Sequence, residues 1–181
     1  MAVTIKRGHY PDGRQVLLVG SPYNPYLPMR ARQLGGRWQP NTRQWVFDTR
    51  DEVDVRALYV SIYGTDGSAV ATVDLEVDSS EFDLSTDNRT AWFAGREIAH
   101  VFSRDGGARL GEGVRILAGS IGSGGSRNHP VITWYAVTVL VRDMPRSLVT
   151  LGEHVRLYQP EAPNGEGAMG DLPEVFQRAL E

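Results

Sequence analysis

The chain has 181 residues, a mass of 20.0 kDa, 41% hydrophobic residues and a net charge of −3. That suffices for one core or two small ones. No run approaches the roughly 20 apolar residues of a membrane helix, and the early run "VLLVG" is too short for a secretory signal core, so a cytoplasmic protein is expected. The absence of cysteine excludes disulfides, thiolate zinc sites and a cysteine nucleophile.

Charge is unevenly distributed. Residues 1–64 hold nine Lys/Arg against five Asp/Glu, a net of +4. Residues 65–87 hold seven acids and no base, and residues 88–181 hold ten of each. Between Asp12 and Asp48 there is no acid, while Arg14, Arg30, Arg32, Arg37 and Arg43 lie inside. The only lysine is Lys6, outside any phosphate-loop or Schiff-base motif.

In chain order, "QVLLV" (15–19) reads as a short buried strand. A helix is expected from about Pro25 to Leu34, N-capped by Asn24, with Leu27, Ala31 and Leu34 as its buried stripe. Gly35-Gly36 would end it. "RWQ" and "RQWVF" flank "PNT", a hairpin signal, with Trp45 and Phe47 on one face and Val46 on the other. Thr49 and Glu52 form a capping box for a second helix with Val55, Leu58, Tyr59 and Ile62 inward and Gly64 at its end. The order expected is β-α-β-β-α over residues 1–64.

The residues Gly35, Gly36, Arg37, Trp38, Pro40, Thr42, Arg43, Trp45 and Phe47, followed by an acid-rich helix start, resemble the small HARP domain found beside the motor of annealing helicases. They also resemble short phage and plasmid modules with the same glycine–tryptophan pattern. The resemblance covers about residues 16–63 and implies binding at DNA junctions or single strands. The chain lacks a helicase motor, so the resemblance implies binding rather than ATP-driven remodelling.

Residues 65–90 read as an acidic linker with one alternating strand, "ATVDLEV", which places Asp74 and Glu76 on one face. Residues 91–158 are strand-rich: "TAWFAGREIAHVF", "VRILAGSI", "VITWYAVTVLVRD" and "LGEHVRLYQ" suggest a small barrel or sandwich. Residues 159–181 read as a linker and an amphipathic helix with Leu172, Val175 and Phe176 on one side, placed to dock on this protein, a second copy or a partner. The fold expected is therefore α+β: a small β-α-β-β-α unit, a β-rich barrel or sandwich, and a short C-terminal helix.

Four histidines, His9, His100, His129 and His154, show no metal-ligand spacing, and no nucleophile motif is present, so neither metal, cofactor nor catalysis is expected. The Gly/Ser stretch from Ala118 to Pro130 reads as a flexible hairpin loop or as an anion-binding loop equipped with Ser123, Ser126, Arg127, Asn128 and His129. Trp38 and Trp45 read first as core, then as surface. With Tyr26, Arg30, Arg32, Arg37, Trp38 and Arg43, the first unit has what a single-stranded nucleic-acid surface requires: guanidinium groups for phosphates and aromatic faces for bases. The acidic segment would compete for that surface. Two other readings stay open: a protein-interaction or inhibitor module of the kind phages use against host defences, and a phosphate or nucleotide binder acting through the Gly/Ser loop.

Overall fold

In the computed structural model, residues 3–10 and 12–160 are described; the expected C-terminal helix with Leu172, Val175 and Phe176 lies outside them. The fold is α+β, mostly strands in three antiparallel four-stranded sheets with few helices. No helix among the described residues is long and apolar enough to cross a membrane.

The first sheet is built from β1 (Thr4–His9), β2 (Gln15–Gly20), β3 (Arg37–Gln39) and β4 (Gln44–Asp48) in the order β1-β2-β4-β3. Helices α1 (Leu27–Gln33) and α2 (Glu52–Tyr63) cover one face of it. Leu17, Val19, Trp45 and Phe47 from the sheet meet Leu27 and Ala31 of α1 and Val55, Leu58, Tyr59 and Ile62 of α2 in one buried cluster. The period-2 pattern of the strands and the helical stripe of α2 thus converge on one core. Val46 faces the other way, yet it is buried too.

Three details differ from the sequence reading. The strand β1 was not anticipated: "TIKRGH" has one apolar side chain in six positions, and it forms because it pairs residue for residue with β2 from Thr4↔Gly20 to His9↔Gln15. Helix α1 starts at Leu27 with Tyr26 at its N-cap, two residues later than expected, and the Asn24 side chain still accepts from the Tyr26 N–H at 2.9 Å just ahead of the first turn. The second cap is Asp48, whose carboxylate accepts from the Arg50 backbone N–H at 2.9 Å; Thr49–Asp51 forms a 3-10 turn and α2 begins at Glu52. An ionised carboxylate at the first turn outcompetes a hydroxyl one residue later.

The other two sheets share a second core. One contains β5 (Thr72–Asp78), β10 (Val114–Gly125), β11 (Pro130–Pro145) and β12 (Val155–Leu157) in the order β10-β11-β5-β12. The other runs β6 (Asp83–Leu84), β7 (Thr90–Phe93), β8 (Arg96–Val101), β9 (Ala108–Leu110) in sequence order. Leu75 and Val77 of β5 are fully buried with Ala91, Phe93, Ile98, Val101, Val139 and Val141. Residues 65–90 are therefore more than a linker, because β5 lies between β11 and β12. Most of the Gly/Ser stretch is strand as well: β10 pairs with β11 as far as Gly125↔Pro130, and only residues 126–129 form the turn. Two long strands, paired again beyond a bulge at residues 116–120, impose pairing on glycines that have no strand preference of their own.

A buried asparagine joins the two cores. Asn24 is 1% exposed; its Nδ2 donates to the Gly95 carbonyl at 3.0 Å and its Oδ1 accepts from the Tyr26 N–H at 2.9 Å. Beside it the Tyr23 and Trp92 rings lie 6.0 Å apart.

Candidate nucleic-acid interface

The quoted glycine–tryptophan segment is shaped by two glycines with different tasks. Gly35 has φ +71° and donates to the Arg32 carbonyl at 3.0 Å, so the chain leaves α1 through a left-handed residue. Gly36 donates to the Ala31 carbonyl at 2.8 Å and is buried against Phe47, where a Cβ would meet the ring at 2.5 Å. This brings β3 directly beneath the end of α1.

Trp38 and Trp45 are register partners, and their rings stand 5.6 Å apart at 56°. Trp45 is a core residue at 5% exposure, whereas Trp38 is 45% exposed. The Arg32 guanidinium sits 5.7 Å from the Trp45 ring centroid. Trp45 thus serves as a buried anchor against which one exposed aromatic and one cation are held.

The remaining residues of the expected surface are distributed around this pair. Arg37 precedes Trp38 on β3 and projects from the opposite sheet face, opposite Val46. Arg30 lies two residues from Arg32, about 160° around the helix. It shares the outward side of α1 with Met29 and Gln33, and half-exposed Tyr26 stands at the start of that helix. Arg43 ends the β3–β4 turn with φ +52°, its N–H donating to the Pro40 carbonyl at 3.3 Å. The arginines therefore wrap the edge of the hairpin and α1, and only Arg32 and Trp38 are held against one common ring.

Electrostatics separate these arginines from their neighbours. Arg7 pairs with Glu52 at 2.6 Å, Arg14 with Asp12 at 2.7 Å, Arg50 with Asp48 at 2.7 Å, and Arg56 with Glu52 and Asp66 at 2.8 and 2.6 Å. The Arg50 guanidinium and N–H hold the Asp48 carboxyl down at about 2. Among the described residues, no carboxylate pairs with Arg30, Arg32, Arg37 or Arg43.

The acidic segment does not cover that surface. Asp66 bonds Arg56, Asp74 accepts from the Asp143 N–H at 3.0 Å, Glu76 reaches Arg156 at 3.5 Å and Asp87 pairs with Arg89 at 3.4 Å. These four acids are engaged away from Arg30, Arg32, Arg37 and Arg43, and the expected internal competition is not seen among the described residues.

The Gly/Ser residues are engaged within the fold, Ser123 with the β8–β9 connection and Ser126 with its own turn. Ser123 Oγ donates to the Arg104 carbonyl at 2.5 Å and accepts from the Gly107 N–H at 3.0 Å. Ser126 and His129 bond each other's backbones, and the Asn128 carbonyl accepts from Arg89 at 2.7 Å. Arg127 is exposed at the tip. The stretch is the end of an edge strand and a tight turn, so the backbone N–H groups that face β11 serve the ladder and the segment is not a free loop.

A cleft of about 560 Å³ lies where the two cores meet, lined by Tyr23, Tyr63, Arg96, Glu97, Glu112 and Asp143 among others. Burial pushes the Tyr63 hydroxyl up to about 12 and lowers Arg96, whose guanidinium donates to the Arg142 and Asp143 carbonyls. None of the six expected nucleic-acid residues lines it. Sequence reasoning missed Asn24 as a joint and Phe102 as an exposed ring; a lone Asn between prolines and a Phe at a strand end give no periodic signal.

No protein-family model, curated protein or solved structure matches the chain.

Proposed function

We propose that the chain is a non-enzymatic nucleic-acid-binding accessory protein that holds single-stranded or forked DNA on the edge formed by α1 and the β3–β4 hairpin. The observation that carries the reading is the set of four arginines, Arg30, Arg32, Arg37 and Arg43, that have no carboxylate partner among the described residues and stand around a half-exposed Trp38. In a molecule of net charge −3, most other arginines near them are neutralised. Guanidinium groups left unpaired are available to phosphate oxygens, which they grip in a bidentate manner.

Trp38 supplies a face for a base, and Trp45 fixes its ring before any ligand arrives, which lowers the ordering cost of binding. Arg32, held against the same ring, is fixed in the same way. The wrapped arrangement suits a flexible strand or a fork better than a straight duplex, because the cations do not lie along one line. The resemblance of residues 16–63 to the HARP pattern supports the same reading.

Fluorescence anisotropy of labelled single-stranded, duplex and forked DNA tests it. Expected is salt-sensitive binding to single-stranded and forked DNA, stronger than to duplex. Binding that does not change with salt would point instead to apolar docking of a protein partner.

A further inference from the structure

We infer that the outer face of the β6–β9 sheet is a second single-strand contact, with Phe102 as a base-stacking platform and Arg109 as its phosphate partner. The inference rests on the single-strand reading above and extends it to a surface outside residues 1–64.

Phe102 is the most exposed aromatic side chain of the described residues, at 71%. It is not a loose side chain. The His100 ring meets it edge-on with centroids 4.5 Å apart, and the Arg109 guanidinium lies 5.7 Å from its centroid. His100 and Arg109 are register partners on β8 and β9, so the three groups are set side by side by the ladder. His100 is in turn held by the Glu97 carboxylate through Nδ1. An apolar ring of this size held open to water by two cationic or cationisable neighbours has no role in the core, whose members lie on the other face of these strands.

The charges around it favour a phosphate-bearing partner. Arg109 has no carboxylate partner among the described residues, while Asp105 is occupied by Arg104 at 2.9 Å and Glu97 by His100. Asp83, opposite Trp92, sits at the other end of the face. Tyr23, itself 70% exposed, covers the buried Trp92 ring of this sheet, and Asn24 ties the first unit to it at Gly95. Tyr23 and Phe102, and not the buried Trp92, are therefore the rings open to a strand. Base stacking on an exposed ring with an adjacent guanidinium is the chemistry of sequence-tolerant single-strand binding.

The test uses the full chain and a labelled oligothymidylate of about 20 nucleotides, long enough to cover more than one stacking surface. Phe102→Leu keeps an apolar side chain and removes the π-face; affinity is expected to fall about tenfold, with Phe102→Trp restoring it. Arg109→Gln is expected to weaken binding and to reduce the salt slope by about 0.7. An oligonucleotide carrying 5-iodouracil is expected to photo-cross-link within residues 100–109. Wild-type affinity in Phe102→Leu, or cross-links confined to residues 23–45, would overturn this inference while leaving the first surface in place. No binding by the wild-type chain at low salt would overturn both. Thermal melts of each variant check folding, and the cross-link position reads the contact in the unaltered protein.

Discussion

The adjacent glycines at 35 and 36 carry opposite requirements, and substitution separates them. Gly35 has open space around its missing side chain but a left-handed backbone, so Gly35→Ala is expected to cost about 1–2 kcal/mol. Gly35→Asn is expected to cost less, since asparagine tolerates that conformation. Gly36 lacks room: a Cβ would meet Phe47 at 2.5 Å and the Ala31 carbonyl at 2.7 Å. Gly36→Ala is expected to lower stability by about 3 kcal/mol, at the upper end of overpacking costs, measured by urea unfolding. At the same scale, Asp66 is lowered from its ordinary 3.8 to about 2, first by the Ser68 side chain and then by Arg56. A carboxyl with a depressed folded-state pKa contributes stability above its unfolded value, and that contribution is lost as pH falls towards 2. Asp66→Asn is therefore expected to destabilise the protein at pH 7 and to flatten the decline in melting temperature between about pH 4 and pH 2. An unchanged decline would assign the acid sensitivity to other carboxylates.

Among the elements, those whose side chains alternate or repeat toward one core were legible in the sequence. Helix α2 shows its four inward residues at helical spacing, and β4 shows Trp45 and Phe47 on one side. Strand β1 was not legible, because its stability comes from pairing with β2 rather than from its own apolar content. Strand β5 was seen, but its composition suggested a solvated linker: Asp74 and Glu76 face outward while only Leu75 and Val77 face inward, and nothing local says that β11 and β12 will enclose it. The candidate site was partly legible for the same reason. The acid-free run of arginines is a sequence fact, whereas the opposition of Arg37 to Trp38 and the seating of Arg32 over Trp45 depend on register and helix phase. Deleting residues 65–87 removes β5 and is expected to abolish cooperative folding of the β-rich part, not to raise DNA affinity. Retention of a cooperative melt in that deletion would contradict the central placement of β5.

For the whole molecule, the Asn24 joint decides whether the two cores act as one surface. Asn24→Ala removes the bond to the Gly95 carbonyl and leaves the Tyr26 N–H without its acceptor, a loss of about 1–3 kcal/mol. Hydrogen exchange is expected to accelerate at Tyr26 and in the β7–β8 hairpin, and unchanged exchange would mean that other contacts hold the joint. On the proposed function, the arginines at the edge of α1 and the hairpin, which have no carboxylate partner among the described residues, hold single-stranded nucleic acid. This contact is tested most directly by the salt dependence of single-stranded DNA affinity for the wild-type chain and for the Arg32→Gln/Arg37→Gln/Arg43→Gln variant. Salt-sensitive binding by the wild type is expected, with a slope of log affinity against log salt that is shallower by about 2 in the variant, from about 0.7 per lost phosphate contact. No binding at low salt, or the same affinity and slope for both proteins, would contradict it.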